Sequence, residues 1–143
     1  MLTKDKLSER ITIMPDFIFY DEKGMPVSNS DFQKTNCKVI IIFFDPECEH
    51  CQYMVRSLLK SGQKLNNAIL LMISLADAQK LKDFKNEFHL DSIKNIKLLR
   101  DQKIEFPKIF GTSMVPSFFI YKNGRLIKKI FGETRIENLL NDN

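Results

Sequence analysis

The chain is 143 residues long, 43% hydrophobic and 28% charged, with a formal net charge of +4. That balance is ordinary for a globular protein able to bury its own core, and one domain over residues 1–143 is expected. The charges are interspersed, so no nucleic-acid groove is indicated. No run approaches the roughly 18 to 20 apolar residues of a membrane-inserting helix.

In chain order, residues 1–10 are polar and read as a short helix or a disordered, frayed end. They have no apolar core and do not read as a secretory signal, so the expected compartment is the cytoplasm, or the periplasm or cell envelope if a leader or anchor was removed. Residues 11–32 read as an N-terminal extension. Within it, residues 16–20 (Asp-Phe-Ile-Phe-Tyr) alternate like a short strand, and Asp21, Glu22, Lys23 and Gly24 form a turn. Residues 25–27 return as an edge strand, where Pro26 is tolerated, and residues 30–32 make a brief helical turn.

Residues 39–44 (Val-Ile-Ile-Ile-Phe-Phe) read as a strand buried on both faces. It stops at Asp45-Pro46, because proline fixes φ, lacks an N–H and keeps the preceding residue out of the helical region. A helix over 49–61 follows from the spacing of Met54, Val55, Leu58 and Leu59, with Gly62 as its stop. Residues 68–75 form a second buried strand. Asp77 caps a helix that keeps Leu81, Phe84 and Phe88 on one face.

A short strand is expected at 96–99, then a short helix at 103–110 that Pro107 interrupts or whose last turn it opens. Strands at 117–121 and 125–131 are joined through Lys122, Asn123 and Gly124, since Asn-Gly between apolar runs is a strong hairpin signal. An amphipathic helix over 134–140 closes the chain. Crossovers in the first half require parallel strands and the last hairpin is antiparallel, so the fold is α/β with a mixed central sheet flanked by helices.

Three cysteines are too few for a disulfide framework. Cys48 and Cys51 sit where a central strand becomes a helix. The first helical turn has unpaired N–H groups and partial positive charge, which favour thiolate, and a sulfur three residues on can close a disulfide. The plainer reading of Cys48 is a small buried hydrophobe. Cys37, at the other end of the strand, reads as an unpaired structural thiol. His89 reads as a charge partner for a helix C-terminus, and Phe43, Phe44, Phe118 and Phe119 as core.

The Cys-x-x-Cys after a buried strand, followed by Val115-Pro116 opening a strand and an Asn-Gly hairpin, resembles the thioredoxin-like superfamily. Residues 14–32 resemble the added N-terminal β-hairpin of envelope (TlpA/ResA-like) thiol-disulfide oxidoreductases. Leu99-Arg100-Asp101, Phe110-Gly111 and residues 115–124 resemble the second half of that group. The resemblance implies a cis Val115–Pro116 bond facing the cysteine pair, with the backbone there pairing to an extended substrate segment.

His50 between the cysteines resembles the strongly oxidising branch: an imidazolium favours the thiolate and makes the disulfide a better oxidant. Glu47, Glu49 and Asp45 act in the opposite direction. The sequence also departs from the family pattern. Glu47 stands where a tryptophan commonly precedes the first cysteine, the buried acid of thioredoxins falls at or near Ile42, and the acid of envelope members falls on Met54. Candidates for proton transfer are therefore Asp45, Glu47, Glu49 and His50.

The expected function is thiol-disulfide exchange with protein substrates, Cys48 attacking and Cys51 resolving. The expected partners are protein thiols and disulfides and an upstream redox protein, with no cofactor and no metal. The sequence leaves the oligomeric state and direction of electron flow open. Competing readings are a copper or zinc carrier on the same cysteines, a thiol peroxidase (which lacks its usual threonine here), and a non-catalytic interaction module.

Overall fold

The structure is a computed structural model describing residues 9–142; the expectation for the extreme N-terminus lies largely outside these residues, although residues 9–12 are helical. The strands are β1 (Ile18–Tyr20), β2 (Pro26–Ser28), β3 (Lys38–Phe43), β4 (Ala68–Ser74), β5 (Ile96–Arg100), β6 (Ser117–Lys122) and β7 (Arg125–Phe131). Beyond the short helical stretch at 9–12, the α-helices are α1 (Glu49–Lys60), α2 (Ala78–Glu87), α3 (Phe106–Phe110) and α4 (Ile136–Leu140).

Among the described residues the strands form a seven-stranded sheet in the order β2-β1-β5-β4-β3-β6-β7. β3, β4 and β5 are parallel, whereas β6 runs antiparallel to β3 and β7 to β6. The sheet is mixed, as its sequence pattern requires, and the β1–β2 hairpin is added at the β5 edge.

The continuous apolar run of β3 has a direct cause in this layering. Successive side chains point to opposite faces, and both faces are covered. Ile40 and Ile42 join Met54, Val55 and Leu58 of α1, Leu81 and Phe84 of α2, and Ile136 and Leu139 of α4. Val39, Ile41 and Phe43 face the other way, onto Phe17, Phe19, Phe106 and Phe110. Phe43 stacks on Phe106 with centroids 4.2 Å apart.

Several element ends differ from expectation. Phe44 and Leu75 lie beyond their strands, and the former is nonetheless buried. Gly62 is not a left-handed stop; α1 ends at Lys60 and the chain continues in a 3-10 turn, Gly62–Leu65. Pro107 opens α3 rather than its last turn, consistent with proline's preference for the first helical positions. Residues 103–105 are excluded from that helix, Ile104 having a positive φ of 56°. α4 starts at Ile136, two residues later than the pattern predicts. At the β6–β7 hairpin Asn123 and Gly124 both have positive φ, and a Cβ on Gly124 would lie 3.0 Å from the Gln33 carbonyl oxygen.

Candidate active site

β3 delivers the chain to Phe44 and Asp45 at the C-terminal end of the parallel strands, a usual location for α/β sites. The loop beyond it is held by its own polar groups. The Asp45 carbonyl accepts the Cys48 N–H at 3.1 Å, Asp45 Oδ1 accepts the Glu47 N–H at 2.9 Å, and Gln52 Nε2 donates to the Pro46 carbonyl at 2.8 Å. Cys48 thereby becomes the N-cap of α1, and its sulfur accepts the Cys51 N–H at 3.4 Å. A polar cap atom ordinarily meets this otherwise unpaired donor; here a sulfur does so.

The two thiols have different surroundings. Cys48 is half-buried, whereas Cys51 is 1% exposed among Ile42, Met54 and Phe118. Burial pushes the Cys51 thiol up to about 12; a hydrogen bond from the Asp45 backbone opposes this, while Cys48 and the Asp45 carboxylate add to the rise. Both cysteines are free in this structure.

Pairing of Phe43 with Ser117 brings the start of β6 beside the end of β3. Val115 and Pro116, directly before β6, therefore lie at the same end of the sheet as the cysteines, and Val115 packs against the hydrophobic cluster that contains Cys51 and borders Cys48. The Val115–Pro116 bond is cis. The Pro116 carbonyl accepts the Gly132 N–H at 2.8 Å. A groove of about 290 Å³ runs beside the cysteine loop, lined by Phe44, Asp45, Glu47, Lys80, Ser113 and Val115 among others. Phe44 is thus both a core residue and a wall of the groove.

Two of the charged candidates, His50 and Glu47, are engaged with residues distant in sequence. The His50 ring is hydrogen-bonded to Glu133, which follows β7, and its side chain is 72% exposed. Glu47 pairs with Lys80 in the first turn of α2 at 3.1 Å, which raises the lysine's proton affinity. Met54, where the resemblance leads one to expect an acid, is buried and accepts the Thr134 N–H on its sulfur at 3.4 Å. Cys37 lies just before β3, remote along the strand from the pair. His89 follows the C-cap of α2 in left-handed conformation, a common way to end a helix. The contacts of Glu133 and Lys80 with His50 and Glu47 have no sequence signal, because no spacing links partners that meet only through the fold.

The family model for the thioredoxin-like domain matches residues 25–141, and the chain belongs to that family. Solved structures of similar fold include a thioredoxin-like protein of Neisseria meningitidis, 22% identical with TM-score 0.72, covering 90% of this chain and 84% of that one. A secreted Mycobacterium tuberculosis disulfide oxidoreductase is 18% identical with TM-score 0.72, covering 92% and 94%. StoA of Bacillus subtilis is 18% identical with TM-score 0.67, covering 90% and 96%. A comparison with curated protein sequences gives no match. These structural likenesses establish the fold; the chemistry must be argued from the site. No helix among the described residues is long and apolar enough to cross a membrane, and no group of three or more His, Cys, Asp or Glu among them is arranged to hold a metal ion.

Proposed function

We propose that this protein is a thiol-disulfide oxidoreductase acting on protein substrates through Cys48 and Cys51. The observation that carries this is the unequal pair: a half-buried sulfur capping α1, and a buried one three residues on whose proton is held tightly. In the reducing direction, the Cys48 thiolate attacks one sulfur of a substrate disulfide. The S–S bond breaks, a substrate thiolate leaves, and a mixed disulfide remains on Cys48. Cys51 then gives up its proton and attacks the Cys48 sulfur, which forms the Cys48–Cys51 disulfide and releases the second substrate thiolate. Oxidation of a substrate dithiol is the same sequence reversed, and an upstream redox protein resets the pair.

Asp45 is the acid best placed to take the Cys51 proton, because its backbone and carboxylate both act on that thiol. Glu47 is held by Lys80 instead. On the substrate side, Pro116 has no N–H and its carbonyl is taken by Gly132, so backbone pairing to an extended substrate falls to Val115. His50, tied to Glu133, tunes the thiolate. The expected reduction potential lies above thioredoxin's value of about −270 mV.

The test is stepwise. In reduced protein, iodoacetamide modifies Cys48 while Cys51 stays protected. Cys51→Ser accumulates a mixed disulfide with a disulfide substrate such as insulin, and Cys48→Ser is inactive. Equal labelling of both thiols, or retained exchange in Cys48→Ser, overturns the assignment.

A further inference from the structure

Among the described residues four polar side chains belong to the interior: Asn29, Ser74, Asp101 and Ser117. The first three each hold a nearby backbone. Asn29 Oδ1 accepts the Phe17 N–H, Ser74 Oγ the Ala76 N–H, and Asp101 the N–H groups of Glu105 and Phe106. Ser117 does the same for the loop that presents Val115.

Ser117 opens β6 with no exposed surface, ahead of the apolar run Phe118 to Tyr121. Its backbone is set on both sides, by Phe43 of β3 and Phe131 of β7. A hydroxyl in such a place is unfavourable unless it is bonded. Its Oγ reaches back across Val115 and Pro116 and donates to the Met114 carbonyl at 2.6 Å.

The other backbone group of Met114 is taken as well, its N–H donating to Thr112 Oγ1 at 3.0 Å. The Met114 side chain is 53% exposed, so the two hydroxyls, rather than packing, fix this residue. On the far side the Pro116 carbonyl accepts the Gly132 N–H at 2.8 Å. Val115 lies between these ties. Among the described residues its own N–H and carbonyl take part in no hydrogen bond.

We propose that Ser117, assisted by Thr112, is a positioning residue for substrate binding. This role rests on the redox reading above and on Val115 as the substrate's backbone partner. The Ser117 hydroxyl carries the fixed position of the sheet into an exposed loop. It orients the open N–H and carbonyl of Val115 before a substrate arrives, so an extended segment does not have to order the loop as it binds. With alanine at 117, Met114 loses that anchor and Val115 loses its set orientation. The exchange at the Cys48 sulfur itself does not require the hydroxyl.

The experiment compares two disulfides that release the same thiol. One is a short extended peptide whose single cysteine is disulfide-linked to thionitrobenzoate. The other is the symmetrical thionitrobenzoate disulfide, which has no peptide backbone. With either, the Cys48 thiolate of the reduced full chain attacks one sulfur, the S–S bond breaks, and thionitrobenzoate leaves as the coloured thiolate. Ser117→Ala should lower the second-order rate constant for the peptide by about threefold to tenfold, the effect of one net hydrogen bond. The constant for the small disulfide should be unchanged. Thr112→Val should lower the peptide constant alone, by about twofold to fivefold, and decides the matter should Ser117→Ala fail to fold. Equal loss with both disulfides would mean a general structural role, and an undiminished peptide rate no role; either overturns the proposal. Should the wild-type chain release thionitrobenzoate from neither compound, the thiol-disulfide assignment itself falls, and this role with it.

Discussion

Cys51 carries a pH dependence that can be worked out in sign. Its thiol ordinarily titrates near 9.0 and is pushed up to about 12 in the fold. Above about pH 9 the unfolded chain releases this proton while the folded chain keeps it, so the unfolded state binds fewer protons and stability falls until about pH 12. The slope is at most about 1.4 kcal/mol per pH unit for one proton. Denaturant titrations of the reduced protein at pH 8 and pH 10.5 should show the loss, and Cys51→Ala should show less of it. Buried Tyr121, whose hydroxyl donates to the Ile11 carbonyl at 2.7 Å and whose proton affinity burial raises, acts in the same direction, which makes the variant comparison necessary.

His50 and Glu133 call for a smaller expectation. An exposed carboxylate acts on a neighbouring charge by about 1 kcal/mol at most. Glu133→Gln removes a carboxylate charge from beside the His50 ring and the start of α1, which favours thiolate and raises the potential of the pair. For a two-electron couple the rise should not exceed about 20 mV. Equilibration with glutathione measures it, and a fall in potential would contradict that sign.

Among the elements, α2 shows how local chemistry sets a boundary. Asp77 Oδ1 accepts the Lys80 N–H at 2.8 Å, satisfying a first-turn donor, and Leu81 and Phe84 then turn inward. Asp77→Ala should cost about 1 kcal/mol of stability, read from the denaturant midpoint at unchanged slope. This cap is legible in the sequence because it uses residues three apart. The same holds for Asn123-Gly124 and for β3, whose unbroken apolar run announces two covered faces.

The turns Gly62–Leu65 and Leu90–Ser92 are not legible, since single 3-10 turns carry no periodicity. Nor is the true start of α3. Asp101 organises it from five residues before Phe106, through two carboxylate hydrogen bonds, where a conventional cap would stand adjacent to the helix. α4 is held from outside: Lys128 Nζ donates to the carbonyls of Asn138 and Asn141 at 2.8 Å each, and Lys38 reaches the Leu140 carbonyl. These cations meet the negative end of a short helix, and only the fold brings them there.

For the molecule as a whole, the sequence conveys the layering and the location of the cysteine pair, because both depend on short-range pattern. It does not convey which charges meet across elements. His50 and Glu133 lie 83 positions apart, and Lys38 and Leu140 lie 102 apart. Contacts of that kind depend on sheet order, which pattern alone leaves open.

Sheet order also distributes cohesion unevenly. β3 is paired along its full length on both sides, whereas β1 meets β5 only through Tyr20 and Arg100. Beyond that rung, the hairpin depends on side-chain packing and on the Glu22–Lys85 tie across to α2. Stability of this sort is lost locally before it is lost globally. In deuterium exchange, amides of β1 and β2 should therefore label through a low-energy fluctuation that leaves β3, β4 and β6 protected. Labelling of all these strands at one common rate would instead mean that the flap and the main sheet come apart together.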